Sequence, residues 1–359
     1  MPRGRVCSHV PARRPCRSAS IRSRHGCACV KTRCRGRRVE AVTWDPRSLP
    51  DLSGRVYLVT GSNAGLGYFA SEQLVRAGAS VLMSGRHPNR LSAARAAIRR
   101  RVPEAAPDAT EPLILDTSNL GSVRSAAASV RGRGGLDGVL LNAGIVHAPR
   151  ARETTIDGHE VVFATNALGH FALGGELLTA LAAASGRMVW VGSMSARISP
   201  YDPVDPHLED RYTAWRSYVQ SKVATAALGF EADRRLRAAD VPVASVVAHP
   251  GYSTGGRTPG IAGVNEPSRM KRFRDNLQAA VAQSKEHGAW PLVRALVDPE
   301  VQGGEFWGPA SGTRGAPRRR TAPKITRDAE IAARLWDVAE SATGVHWPFE
   351  KAAAGPASG

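Results

Sequence analysis

Val56-Tyr57-Leu58-Val59-Thr60-Gly61-Ser62-Asn63-Ala64-Gly65-Leu66-Gly67 is a short β-branched and aromatic run that leads straight into a glycine-rich turn, and an apolar-periodic segment through Leu74 and Val75 follows it. Read in order, this is strand, turn, helix. Glycines at 61, 65 and 67 permit a tight turn and a close backbone approach. The start of the helix offers free N–H groups and a positive dipole end to an anion. A diphosphate is therefore the expected guest, with Gly61, Ser62, Asn63, Gly65, Leu66 and Gly67 as the residues that would hold it. A glycine-rich turn alone is a weak signal; its position between a strand and a helix gives it weight.

Working outward, the pattern repeats. Short β-branched runs at Val56–Thr60, Ala79–Ser84, Leu113–Leu115, Gly138–Leu141, Arg187–Val191 and Val241–Ala248 are separated by longer Ala/Leu/Arg-rich segments at helical period. The strands lack polar alternation, as expected of a parallel sheet buried on both faces, and the spacing suits βαβ crossover units. The expected architecture is α/β, a doubly wound parallel sheet of Rossmann type. There is no solenoid repeat and no linker inside 50–310, which is read as one nucleotide-binding catalytic domain. Residues 311–359 are read as a C-terminal loop, helix and tail: Ser311–Lys324, with arginines at 318–320, as exposed loop, and Asp328–Ala342 as helix.

The chain has 359 residues, is 42% hydrophobic and carries a net charge of +18. It is long enough to bury a large core without staples. The charge is uneven: residues 1–40 hold twelve Arg and Lys against Glu40 alone, or +11, leaving +7 for the remainder. All five cysteines, Cys7, Cys16, Cys27, Cys29 and Cys34, lie in the same stretch, with no CxxC pair and no zinc pattern completed by His9 or His25. No metal site is expected, and a reducing, cytoplasmic compartment follows. Residues 1–40 are read as a disordered basic extension. An organellar transit peptide is one alternative; the reading preferred here is sequence upstream of the true start, because the whole chain is rich in Ala, Arg, Gly and Pro, as GC-rich coding sequence tends to be. No apolar run approaches the ~18 residues of a membrane span, so none is expected.

Selectivity within the nucleotide site is read at the end of the second strand. NAD-selective sites place an acid there for the ribose hydroxyls; this chain has Ser84-Gly85-Arg86. Without a carboxylate to repel a 2′-phosphate, and with a guanidinium to grip it, NADP(H) is the expected cofactor. Asp116 after the third strand and Asn142-Ala143-Gly144 after the fourth also fall at strand C-terminal ends, where ligands gather in such sheets.

The chemistry is read further along, in Arg216-Ser217-Tyr218-Val219-Gln220-Ser221-Lys222. Tyr218 and Lys222 are four apart and share a helical face. A phenol of pKa ~10 needs its pKa lowered by roughly three units, about 4 kcal/mol, to act as a base at neutral pH, and nearby positive charge can supply that. The strand 187–191 delivers Ser193 at its C-terminal end, suited to hydrogen-bond a carbonyl oxygen, and Asn166 lies in the preceding long helix.

Together these residues resemble the short-chain dehydrogenase/reductase family, over roughly 52–310. The resemblance rests on Thr60 to Gly67, Asn142-Ala143-Gly144, Asn166, Ser193, Tyr218-Val219-Gln220-Ser221-Lys222 and His249-Pro250-Gly251. It implies that Tyr218 is the general acid/base, that Lys222 lowers its pKa and holds the nicotinamide ribose, that Ser193 polarises the carbonyl and that Asn166 supports a proton-relay water. Pro250 and Gly251 join the cofactor-binding set. Asn166-Ala167-Leu168-Gly169-His170-Phe171, Arg86 and the His249 triplet are most similar to the retinol-dehydrogenase-like branch, which implies an apolar carbonyl or alcohol as the small-molecule substrate. Sheets of this family commonly pair through helices or sheet edges, which makes a homo-oligomer an open expectation.

Departures from the family pattern are informative. Ser193 and Tyr218 are 25 apart, so Ile198–Ala214 is an insertion over the site, as also occurs in that branch. The strand before Asn142 ends in Leu141 where the family usually has Asn. Tyr252–Gly260 is rich in glycine and is read as a mobile lid. His170 and His249 are read as structural, and Trp190 and Trp215 as lining the pocket or packing the core. The alternative to an enzyme is a nucleotide-binding regulatory protein of the same fold with little turnover. A nucleic-acid partner driven by residues 1–40 is disfavoured.

Overall fold

The computed structural model describes residues 44–45 and 48–353; the cysteines and the extension 1–40, with the readings made of them, lie outside the described residues. Strand and helix alternate through β1 (Val56–Val59), α1 (Gly65–Arg76), β2 (Ser80–Gly85), α2 (Pro88–Arg101), β3 (Thr110–Ile114), α3 (Leu120–Arg131) and β4 (Gly138–Leu141). Next, α4 (Val161–Phe163) passes through a π-helical turn at Ala164–Leu168 into α5 (Gly169–Ala183), followed by β5 (Arg187–Val191), a 3-10 turn at Met194–Arg197, α6 (Ala214–Ala238) and β6 (Ala244–Ala248). The chain finishes with β7 (Ser253–Thr254), α7 (Arg269–Asn276), β8 (Gln283–Ser284), α8 (Lys285–Val297), β9 (Phe306–Pro309), β10 (Pro317–Arg319), α9 (Ala329–Thr343) and α10 (Phe349–Ala353).

Eight strands form one sheet in the order β10-β9-β6-β5-β4-β1-β2-β3, while β7 and β8 pair apart from it. All its pairings are parallel except β10 on β9. This is the expected doubly wound sheet. The order reverses at β1, which pairs with both β2 and β4, and a crevice at such a switch point is where ligands bind.

Period-2 alternation splits each central strand between two cores. Leu58, Val139, Leu141, Met188, Trp190 and Val247 point into the layer of α3, α5, α6 and α9, while Tyr57, Val59, Leu140, Val189, Val191 and Val246 point into that of α1, α2 and α8. Both faces are covered, which is why the strands read as unbroken apolar runs.

Three differences from expectation have local causes. β3 starts at Thr110, earlier than the apolar run, and includes Pro112; it is an edge strand, where a missing N–H is tolerated. β6 starts at Ala244 because the Val241 N–H is still bonded to Leu236 O at the end of α6. Finally, the stretch expected as loop, 311–324, contains β10, whose Arg318 and Arg319 are solvent-exposed on an edge. Expected helix 328–342 is α9, capped by the Asp328 carboxylate, which accepts from the Glu330 and Ile331 N–H groups.

Among the described residues one helix, Val161–Ala183, is long and apolar enough to cross a membrane, and 89% of its most apolar window is buried inside the protein. It packs between α3, α6 and α9, and a helix covered all round is apolar all round.

Candidate active site

The turn after β1 is shaped by contacts that leave no room for side chains. Gly61 has φ +65°, and a Cβ on Gly67 would lie 2.5 Å from Gly61 O and 2.6 Å from Asn142 Nδ2. Above it opens a cleft of about 400 Å³ lined by Gly61, Asn63, Gly65 and Leu66 from the turn, Arg86 after β2, Asp116 after β3, and Asn142, Ala143 and Gly144 after β4. These expected residues are therefore gathered at the switch point.

Others of the expected set do not line that cleft. Ser62 is buried, its Oγ donating to Ser84 O at 3.2 Å, so it ties the turn to β2. Gly67 is buried under the turn. Pro250 O accepts from Ser253 Oγ at 2.9 Å and from Gln283 Nε2 at 2.8 Å, and Gly251, at φ +67°, packs on Thr313.

At the chemistry end, β5 and α6 bring Ser193 and Tyr218 together: the Tyr218 hydroxyl donates to Ser193 Oγ at 3.4 Å. Burial pushes the Tyr218 phenol pKa up, and the Ser193 contact opposes that. Lys222 is buried one helical turn on, and its ammonium donates to Val191 O at 2.8 Å. Burial brings its pKa down to about 8.

Asn166 sits in the π-helical turn and is fully buried. Its Oδ1 accepts from the Ile145 N–H at 2.7 Å and its Nδ2 donates to Ile145 O at 3.1 Å and Ser221 Oγ at 2.9 Å. It thus clamps the loop after β4 to the helix that carries Tyr218. The Asn166 carbonyl oxygen meets Thr225 Oγ1 at 2.9 Å and His170 Nδ1 at 3.1 Å. π-helical turns occur often at functional sites, because the extra residue redirects backbone carbonyls.

His170 and His249 behave as structural groups. Both are buried, which lowers each pKa to about 3; His249 stacks on Phe306 with ring centroids 5.2 Å apart. Trp190 is core. Trp215 is half-exposed, with its ring 6.0 Å from that of Tyr218 and its Nε1 donating to Ser199 Oγ at 2.7 Å. The insertion Ile198–Ala214 is held by Gln220, whose Nε2 donates to Asp202 O and Asp205 O. The glycine-rich stretch after Gly251 is tied down too: Asp275 Oδ2 accepts from Gly256 N–H at 2.6 Å and Lys285 N–H donates to Thr258 Oγ1 at 2.8 Å.

Sequence reasoning missed several members of the site. His87, Arg90, Thr117, Thr165 and Lys285 also line the cleft. Arg90 lies four residues after Arg86, a spacing that could have found it. Lys285 arrives from the first turn of α8, and a Cβ on Gly65 would lie 3.5 Å from its Nζ. Burial, and secondarily Lys271, lowers the Lys285 pKa, with Asp275 opposing them. No local signal marks it.

Residues 55–255 match the sequence pattern described as short chain dehydrogenase. The chain is 35% identical to polyprenol dehydrogenase of Mus musculus over 304 residues, 81% of this chain and 84% of that protein. To retinol dehydrogenase 14 of Homo sapiens it is 31% identical over 308 residues, 82% of this chain and 88% of that protein. Among solved structures it resembles an uncharacterized protein from Mycobacterium Paratuberculosis, with a TM-score of 0.69 and 31% identity across 85% of this chain and 99% of the other.

Proposed function

Given that this chain belongs to the short-chain dehydrogenase family and is an oxidoreductase of its retinol-dehydrogenase-like branch, we propose that it moves a hydride between NADP(H) and the carbonyl or alcohol carbon of an apolar substrate. The observation that carries this reading is the meeting of Tyr218 and Ser193, 3.4 Å apart, at the C-terminal end of β5. Two hydroxyls so close can both bond one substrate oxygen.

A bound nicotinamide dinucleotide supplies or accepts the hydride. The glycine turn fits a diphosphate, because the crowding at Gly61 and Gly67 keeps side chains off the backbone there and the start of α1 offers its N–H groups to an anion. Lys285 stands beside that turn as a counter-charge. Arg86 and Arg90 suit a 2′-phosphate and support NADP over NAD.

Ser193 Oγ polarises the carbonyl and Tyr218 Oη donates its proton to the oxygen as it becomes an alkoxide. A buried phenol whose pKa is raised is protonated and ready for that direction. In the reverse direction Tyr218 must accept the alcohol proton, which requires positive charge from Lys222. Lys222, with a pKa near 8, carries that charge at neutral pH, and Asn166 fixes the loop and helix around it. The named substrates of the two relatives, a polyprenol and retinol, support an apolar substrate here. A reducing, cytoplasmic setting suits a catalytic domain with no cysteine after Cys34.

The test compares NADPH with NADH for binding and oxidation, over a panel of apolar aldehydes and ketones, for wild type and Tyr218→Phe. Turnover that prefers NADPH and is lost in Tyr218→Phe with cofactor binding intact is the expected result. Binding without turnover across the panel would favour a regulatory nucleotide-binding protein, and binding of neither cofactor would defeat the reading of the glycine turn.

A further inference from the structure

The segment between β7 and β8 carries α7, Arg269-Met270-Lys271-Arg272-Phe273-Arg274-Asp275-Asn276, whose side chains divide sharply by direction. Arg272 and Asp275, three apart, hold the helix to the protein. Arg272 Nη1 donates to Gly256 O at 3.4 Å and Thr258 O at 3.3 Å, and Asp275 is buried with Oδ2 accepting from the Gly256 N–H.

Met270 and Leu277 each lie two residues from one of these anchors, about 200° round a helix. Leu277 continues the helical backbone at the C-cap. With Phe273, they form an i, i+3, i+7 stripe directed away from the body, and they are 64%, 62% and 72% exposed for Met270, Phe273 and Leu277. Apolar side chains so placed contribute nothing to the core.

The charges around the stripe have one sign. Arg269, Lys271 and Arg274 are exposed, and the one acid of the helix, Asp275, is turned inward and paired with Lys271 at 3.1 Å. Nearby, Val281 is half-exposed and Tyr252, also half-exposed, donates its hydroxyl to Gln278 Oε1. An outward apolar stripe with cationic flanks and an amphipathic aromatic beside it has the composition of a helix that lies in a lipid interface.

We propose that α7 docks this protein on an anionic lipid surface, with Met270, Phe273 and Leu277 entering the acyl boundary and Arg269 and Arg274 meeting the headgroups. Charge selects this occupant. A second copy seated by the same face would set arginine against arginine around the two-fold, and the chain's own residues 1–40 carry +11, the wrong sign to complement the flanks. The inference stands on the helix alone, whether or not hydride transfer is as proposed.

The test sediments the full chain with sucrose-loaded vesicles of phosphatidylcholine, with and without phosphatidylglycerol. Wild type is expected to pellet with the phosphatidylglycerol vesicles. The triple variant Met270→Ser, Phe273→Ser, Leu277→Ser is expected to bind at least about tenfold more weakly at an unchanged Tm, and Phe273→Glu alone to shift binding the same way. Arg269→Gln with Arg274→Gln should blunt the dependence on phosphatidylglycerol and on salt. Both proteins keep residues 1–40, so attraction through that stretch cancels in the comparison. The proposal is overturned if wild type stays in the supernatant with both vesicles, or if the triple variant pellets as well as wild type. It is overturned equally if light scattering finds a wild-type dimer that the triple variant turns to monomer, which would assign the face to a second copy.

Discussion

Thr60 Oγ1 and His170 Nε2 lie 3.0 Å apart although 110 residues separate them in sequence. Thr60 Oγ1 accepts the N–H groups of Asn142 and Ala143, both at 2.8 Å, and its own proton is shared between Leu140 O at 3.3 Å and His170 Nε2. His170 Nδ1 faces the Asn166 carbonyl, a pure acceptor. Burial keeps the imidazole neutral, with its proton on Nδ1 towards that carbonyl and Nε2 facing the Thr60 hydroxyl. One buried ring thus ties the end of β1, the loop after β4 and the π-helical turn of Asn166 into a single network beneath the cofactor cleft.

That assignment has a pH signature. His170 and His249 are held near pKa 3 in the fold, from 6.5 in the unfolded chain. Between those values the unfolded chain binds the extra protons, so stability falls as pH drops from 6.5 towards 3, by about 1 kcal/mol per pH unit for each histidine. Urea midpoints measured from pH 7 to 5 should decline. The slope should flatten in His249→Gln, and a slope unchanged by that substitution would show that His249 does not contribute it.

The contrast between what was and was not legible in the sequence follows from burial and locality. The central strands β1, β2, β4, β5 and β6 announced themselves because both faces are covered, leaving largely apolar runs, whereas the edge strand β3, with Glu111 and Pro112 in its first half, showed only at Leu113–Leu115. β9 did not, since Phe306-Trp307-Gly308-Pro309 mixes aromatics with a glycine and a proline and becomes a strand only by pairing with β6. In β10 two exposed arginines read as loop. Among site residues, Tyr218, Lys222 and Ser193 were legible from spacing and strand ends. Lys285 was not, because only tertiary packing of α8 on α1 brings it to the glycine turn. The π-helical turn at Asn166 leaves no mark in residue type at all.

Lys222 sits buried with a single carbonyl partner, Val191 O, so its charge is costly to the fold. Its pKa near 8, against 10.5 unfolded, means that the unfolded chain holds the proton more readily between those values. Stability from this group is therefore lost as pH falls from 10.5 to 8. Lys222→Met should raise stability at pH 7 by about 1–2 kcal/mol, while turnover collapses. Thermal melts beside activity assays check both halves. A fall in Tm would mean that the bond to Val191 outweighs the cost of burying the charge.

The cations of the cleft should separate by which phosphate they serve. Arg86 and Arg90 follow β2, where a 2′-phosphate would lie, whereas Lys285 stands over Gly65 at the diphosphate turn. Removing a guanidinium–phosphate contact costs ~1.5–3 kcal/mol, roughly 10- to 100-fold in affinity. Arg86→Ala with Arg90→Ala should therefore weaken NADPH binding by about that factor and leave NADH nearly untouched. Lys285→Met should weaken both cofactors alike, by up to about tenfold, because they share the diphosphate. Titration calorimetry with both nucleotides on both variants distinguishes the two effects. Equal losses of NADPH and NADH in the double arginine variant would remove the structural basis for NADP selectivity, and a Lys285→Met variant that binds both as wild type does would mean that the backbone N–H groups of the glycine turn hold the diphosphate without help from α8.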